Sequence, residues 1–249
     1  AMSFREYLLF QGYEVGEAIS LTDILTNHVS IAAHLLPKDV HILPLFEQYL
    51  HSGCYPFYKE EGDGYMERIA SIIHRVIEVE LPCVEDVTYA TIRKCLKMLL
   101  ILSERVPYTP KMAEVYRELE TNRDLGLKML HWLESAGLLH LATYETKTIR
   151  TLSKPDKIYL SNPNLMYCLS NKVDIGTLRE TFFYSQLNVI SDILLAQKGD
   201  FYVDRQYLFE IGGKAKNFEQ IKDEPNSFLA LDEMEIGYGN RIPLWMFGW

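Results

Sequence analysis

The sequence predicts an α+β protein in three parts, and three observations carry that expectation. Apolar residues recur at helical spacing through most of the first 135 positions, strand-like alternation begins after Gly137, and the last 75 residues turn to a helix followed by short aromatic strands. The chain has 249 residues, 48% hydrophobic and 24% charged, which are ordinary globular values and exclude disordered, collagen-like or coiled-coil composition. At roughly 150 residues per domain this is one large domain or two to three modules.

The first 60 residues read as short helices broken by Pro37, Pro44 and Gly53, with a helical stretch over 43–50 that stops at Gly53 and Pro56. A helix is predicted over 65–80, because Ile69, Ile72, Ile73, Val76 and Ile77 fall on one face. Three helices follow. The first spans 88–104 with Ile92, Cys95, Leu96, Leu99 and Leu100 inward, and Pro107 and Pro110 end it. Thr109 as N-cap and Pro110 at the first helical position open the second, with Met112, Val115 and Leu119 inward. The third spans 123–135, buries Leu127, Leu130 and Leu133, and stops at Gly137, the left-handed residue beyond its end. Residues 138–144 are strand-like, 145–156 form a polar, Thr/Lys-rich excursion, and 157–160 alternate as a returning strand. Helix, helix, helix, strand, long polar loop, strand is the order of a winged helix-turn-helix.

The remainder predicts a helix over 176–190 and a hairpin of 201–203 with 207–211 about Asp204-Arg205-Gln206. A short polar helix over 217–222, a strand at 227–231 and an apolar end at 242–249, packed on its own sheet, complete the chain. The expected division is a helical lid-like region at 1–60, a winged-helix domain at 61–165 and a third domain at 166–249.

The formal charge is −9, with 25 Lys and Arg against 34 Asp and Glu, so a uniformly basic nucleic-acid binder is excluded. The charge is unevenly spread: residues 1–90 hold 5 basic and 14 acidic side chains, whereas 91–160 hold 12 basic and 8 acidic. The middle segment is therefore net positive. Cys54, Cys83, Cys95 and Cys168 form no C-x-x-C pair and read as reduced structural thiols, and no histidine pair has zinc-hydrolase spacing. The longest apolar run, 98–102, is far short of the roughly 20 residues of a membrane span, and no signal peptide opens the chain, so a cytoplasmic protein without membrane contact is expected.

Ser3-Phe4-Arg5-Glu6-Tyr7-Leu8, the Phe46-x-x-Tyr49-Leu50-x-x-Gly53-x-Tyr55-Pro56 element, Lys157-Ile158-Tyr159-Leu160 and Gly176-x-x-x-Glu180 occur here in order. This ordered set resembles the C-terminal region of prokaryotic AAA-type P-loop ATPases that carry a winged helix and a restriction-endonuclease-like domain of unknown function. The resemblance implies that the nucleotide-binding core would lie before residue 1. No G-x-x-x-x-G-K-[ST] occurs in the chain: the single Gly-Lys pair, Gly213-Lys214, precedes Ala215, and Leu208 stands at the earlier glycine position. ATP is therefore expected only with an upstream core, and no ATPase activity from this chain alone.

Nucleases of the PD-(D/E)xK type hold a divalent metal with an Asp on one strand and Glu-x-Lys on the next, because carboxylates bind hard cations and a lysine positions water. Here Asp200 and Glu210 have that spacing as metal ligands for Mg2+, and the resemblance implies Glu180 as a third carboxylate. The lysine position departs: Gly212 stands where Glu-x-Lys has it, so a bulge at Gly212-Gly213 would be needed to bring Lys214 back. Otherwise Glu210 and Lys214 are solvated strand-end charges. In the central segment the third helix offers Arg123 and Lys128, with Asn122 and His131, and the wing offers Lys147, Arg150 and Lys154, all as DNA-phosphate contacts. The expected function is a non-catalytic recognition or regulatory part of an AAA-type ATPase that binds DNA through the winged helix. The alternatives are a metal-dependent nuclease using Glu180, Asp200, Glu210 and Lys214, and a structural module for self-association or for docking the ATPase core.

Overall fold

The structure, a computed structural model, describes residues 1–35, 40–105, 111–145 and 154–249. It is α+β, with helices dominating the first two thirds and a five-stranded sheet in the last. The chain gathers into two compact units, one of residues 1–59 with 174–249 and the other of residues 60–173.

The first unit begins with α1 (Phe4–Gln11), whose start explains the Ser-Phe-Arg-Glu run. Ser3 Oγ accepts from the Glu6 amide at 3.1 Å and Glu6 Oε2 accepts from the Ser3 amide at 2.7 Å, a complete capping box. Phe4, Tyr7 and Leu8 are then fully buried. Ser3→Ala is expected to lower stability by about 1 kcal/mol, read as a lower denaturation midpoint at unchanged m-value; a shift within error would show that the cap contributes nothing. Next come α2 (Leu21–His34), capped by Ser20, and α3 (Ile42–Ser52). Pro44 does not break the chain as expected. It is the third residue of α3, in the first turn, where a missing N–H costs no helical bond.

The residues after the second unit begin with α11 (Ile175–Leu187), capped by Asp174, and then five strands: β3 (Ile193–Leu195), β4 (Phe201–Val203), β5 (Tyr207–Gly212), β6 (Ser227–Leu231) and β7 (Arg241–Pro243). They lie in sequence order, β4 antiparallel to both β3 and β5, and β5, β6 and β7 parallel. The β4–β5 turn is as expected, with Asp204 and Arg205 both at positive φ (52° and 54°), the geometry that matches strand twist. The helix expected over 217–222 is absent. Asn217 Oδ1 accepts from the Glu219 amide at 3.2 Å, so the side chain competes for the backbone and the segment is a run of turns.

Residues 1–60 and 166–249 were expected as separate parts, yet the N-terminal helices share a core with the C-terminal elements. The Phe46 and Phe182 rings meet edge-on at 4.8 Å, Phe4 lies 5.2 Å from Phe46, and Gln186 Nε2 donates to the Tyr49 hydroxyl at 3.1 Å. Across the sheet face Phe183, Phe209 and Phe247 form a second aromatic cluster. The apolar end folds onto its own unit, with Leu244 to Trp249 all buried.

After the short α4 (Tyr58–Glu61), the second unit holds α5 (Tyr65–Arg75), which runs through a π-helical turn (Val76–Glu80) into α6 (Leu81–Val84). The Leu81 amide bonds back to Val76, and Pro82, which clashes with a normal helical carbonyl, accounts for that widened turn. Then follow α7 (Tyr89–Ser103), capped by Thr88, α8 (Met112–Glu118), α9 (Arg123–Ser135), β1 (Leu139–Ala142), β2 (Lys157–Leu160) and α10 (Pro163–Leu169). The buried side of α7 differs from expectation: Met98, Ile101 and Leu102 join Ile92, Cys95 and Leu99, while Leu100 is 52% exposed. Pro37, Thr109, Pro107 and Pro110 lie outside the described residues. Gly137 has φ +69° and ends α9, the Leu138 amide bonding back to the Leu133 carbonyl, and β1 pairs antiparallel with β2.

Candidate functional site

Two places gather the candidate side chains, one in each unit. In the second unit, Asn122 caps α9, its Oδ1 accepting from the Leu125 amide at 2.9 Å. Arg123 opens the helix and Lys128 follows on the outer side, both exposed, while Leu127, Met129, Leu130 and Leu133 are buried. Gly126 sets how α9 meets α8: a Cβ there would lie 2.2 Å from Tyr116 Cε1, so the tyrosine ring occupies the missing side chain's place.

The cations of this segment divide into two groups. Lys94 donates to the Glu120 carbonyl at 2.6 Å, Lys97 to the Glu118 carbonyl at 2.9 Å, and Arg105 pairs with Glu118 at 3.2 Å. Those charges hold the helices together. Arg123, Lys128 and the exposed Lys154 form no ion pair among the described residues. Lys147 and Arg150 lie outside the described residues. His131 pairs with Glu134 at 3.3 Å, and Glu134 also accepts from the Leu141 amide at 3.2 Å, so this histidine belongs to the joint between α9 and β1.

In the first unit, Asp200 stands just before β4 and Glu210 within β5, the strand paired with it. Asp200 precedes β4, its amide donates to the Phe209 carbonyl at 2.8 Å, and its Oδ2 accepts from the Ile211 amide at 2.7 Å. Glu210 lies within β5 and is 1% exposed, which rules out a solvated strand-end charge. Glu180 sits half-buried on α11.

The lysine is where expectation and structure part. Lys214 is exposed on a turn and forms no ion pair among the described residues. The Lys216 amide bonds to the Gly213 carbonyl at 2.9 Å, closing a turn that carries the chain back, and the Lys216 ammonium pairs with Glu210 Oε1. A Cβ at Gly212 would lie 2.8, 2.9 and 3.0 Å from Lys216 Cβ, Cγ and Cδ. The stem of Lys216 thus fills the space of a residue-212 side chain, the place where Glu-x-Lys carries its lysine. Partial burial works against the ammonium, but the hydrogen bond and charge of Glu210 and the charges of Asp200 and Glu180 outweigh it and raise its pKa.

Arg179 flanks the other side of the glycine pair. It donates from Nε to Asp232 at 2.9 Å and from Nη2 to Glu233 at 2.7 Å, and a Cβ at Gly213 would lie 2.8 Å from its Nη1. Neither Lys216 nor Arg179 was expected at the site. The glycine pair was the available signal, since two adjacent residues without side chains mark a place where other groups approach the backbone.

Mg2+ was expected at Asp200 and Glu210 if the centre were an active nuclease. The described residues do not fit that ion as arranged. Among them no group of three or more His, Cys, Asp or Glu side chains stands close enough to hold a metal, one oxygen of Glu210 is taken by Lys216, and one of Asp200 by the Ile211 amide. No helix among the described residues is long and apolar enough to cross a membrane. Comparison of the chain with protein-family models, curated proteins and solved structures finds no match.

Proposed function

We propose that this chain is the recognition part of an AAA-type ATPase, that residues 61–165 form a winged helix, and that α9 contacts the phosphates of duplex DNA. The observation that carries this reading is the division of cations: Lys94, Lys97 and Arg105 are spent on helix ends, whereas Arg123, Lys128 and Lys154 keep exposed charges with no carboxylate partner among the described residues. Three successive helices followed by an antiparallel strand pair support a winged helix, whose third helix meets DNA. Contact of this kind positions a module without reading bases, which suits a regulatory part. The C-terminal unit is read as restriction-endonuclease-like without nuclease chemistry, which accords with the lysine seated on Glu210.

Fluorescence anisotropy with a labelled duplex at low salt tests the reading. Arg123→Ala with Lys128→Ala is expected to weaken binding by about tenfold or more, since each lost phosphate contact removes its share of counterion release. Equal affinity in the double variant, or no binding by the unaltered chain, would remove the proposal.

A further inference from the structure

We propose that two exposed faces of the second unit, an acidic one at the joint between α6 and α7 and the basic one on α9, bind each other between two copies of this chain. The inference goes beyond DNA contact by α9 and does not need it, because the pairing is measured without nucleic acid.

The acidic face lies where one helix stops and the next begins. Val84 is the last residue of α6, Glu85 is extended at φ −130° and ψ 140°, and Tyr89 opens α7. Val84 and Tyr89 are 79% and 71% exposed, the two most exposed large apolar side chains among the described residues of this unit. Residues 76–89 hold four carboxylates and no Lys, Arg or His. Of these, Glu78 lies against His74 at 3.4 Å and Glu80 against Arg75 at 3.3 Å, whereas Glu85 and Asp86 are exposed and form no ion pair among the described residues. Apolar groups left in water beside such charges mark a surface that another molecule covers.

The basic face has the complementary character. Arg123 and Lys128 are exposed with no ion pair among the described residues, and Trp132, one turn after Lys128, is half-buried. Asp124 sits in the first turn of α9, where the helix dipole favours a negative charge, so the cations remain in excess. The two faces belong to the same end of the unit: Lys94 on α7 donates to the Glu120 carbonyl at 2.6 Å, two residues before the Asn122 cap of α9. A patch that carries both signs side by side is self-complementary about a two-fold axis. Each acidic face then meets the other copy's basic face, and the contact is made twice. Burial of Val84, Tyr89 and Trp132 supplies affinity, and the charges set register and partner choice.

Sedimentation equilibrium of the full chain without DNA tests the pairing. Acrylamide quenching of tryptophan fluorescence is a second readout that follows Trp132, since Trp245 and Trp249 are buried. A dimer with protected Trp132 is expected at low salt, with a dissociation constant that rises about tenfold from low to high salt. Glu85→Lys with Asp86→Lys, and Arg123→Glu with Lys128→Glu, are each expected to be monomeric alone and to form a one-to-one pair when mixed, because mixing restores opposite charges at both contacts. Val84→Ser with Tyr89→Ser is expected to weaken the dimer at every salt concentration. An unaltered chain that stays monomeric would overturn the proposal, as would a dimer that neither charge reversal weakens, or a mixture that stays monomeric. Should a reversed chain not fold, Glu85→Gln with Asp86→Asn carries the same test: weaker pairing supports the proposal and unchanged pairing overturns it. The Glu85 and Asp86 variants leave Arg123 and Lys128 in place, so loss of pairing and loss of duplex binding are told apart.

Discussion

Gly126→Ala is expected to destabilise the second unit by about 2 kcal/mol, although alanine is the better helix former by about 1 kcal/mol. Two effects of opposite sign compete. The new Cβ would lie 2.2 Å from Cε1 and 2.5 Å from Cδ1 of Tyr116, which is 8% exposed. Overpacking of this kind costs about 1–3 kcal/mol, and here the obstruction is a ring rather than a mobile chain end, so α8 and α9 must separate. Because α9 also carries Arg123 and Lys128, the same change should weaken the proposed DNA contact while leaving both cations in place. Combining it with Tyr116→Leu makes room for the methyl group and should recover most of the loss. Equal denaturation midpoints for Gly126→Ala and the unaltered chain would show that the close approach is not a constraint.

Acid should loosen the second unit through His140. Burial pushes the pKa of this imidazole down, its hydrogen bond to the Ser161 carbonyl at 3.1 Å only partly opposes that, and the value falls from 6.5 to about 4. The folded chain therefore refuses a proton that the unfolded chain accepts. The stabilisation is complete above pH 6.5, is lost as pH falls from 6.5 to about 4, and changes no further below that. At 1.36 kcal/mol per pH unit the loss amounts to about 3 kcal/mol. His28, buried with both ring nitrogens lacking a side-chain partner among the described residues, has its pKa lowered by burial and adds a loss of the same sign. Denaturation midpoints measured from pH 7.5 to 4 check this. His140→Gln keeps a donor for the Ser161 carbonyl without titrating, and it should flatten the acid limb; an unchanged limb would show that His140 is not its source.

The parts of the fold that follow from neighbouring residues were legible. Gly137 acts within one turn of helix, and Asp204-Arg205-Gln206 closes a hairpin loop three residues long, so sequence spacing carries their geometry. Asp200 comes beside the end of β5 because the β4–β5 pairing continues to its amide, which bonds the Phe209 carbonyl. Pro44 and the 217–222 segment misled for local reasons: a first-turn proline keeps the helix, and a side chain that bonds its own backbone prevents one. The shared core of Phe46 and Phe182 could not be read, since packing across 136 positions leaves no periodic trace. Lys216 escaped for a subtler reason. Motif spacing counts residues along a strand, whereas this ammonium arrives over a turn and through the space above a glycine.

The salt dependence of duplex binding is the decisive measurement for the recognition role. On the proposed reading, three described cations, Arg123, Lys128 and Lys154, with Lys147 and Arg150 adding up to two more, would give three to five phosphate contacts. A plot of log K against log salt should then fall with a slope of about −3 to −4.5, and alanine at Arg123 or Lys128 should reduce that slope by about 1 each. A slope near zero, or one that neither substitution alters, would contradict DNA recognition by α9.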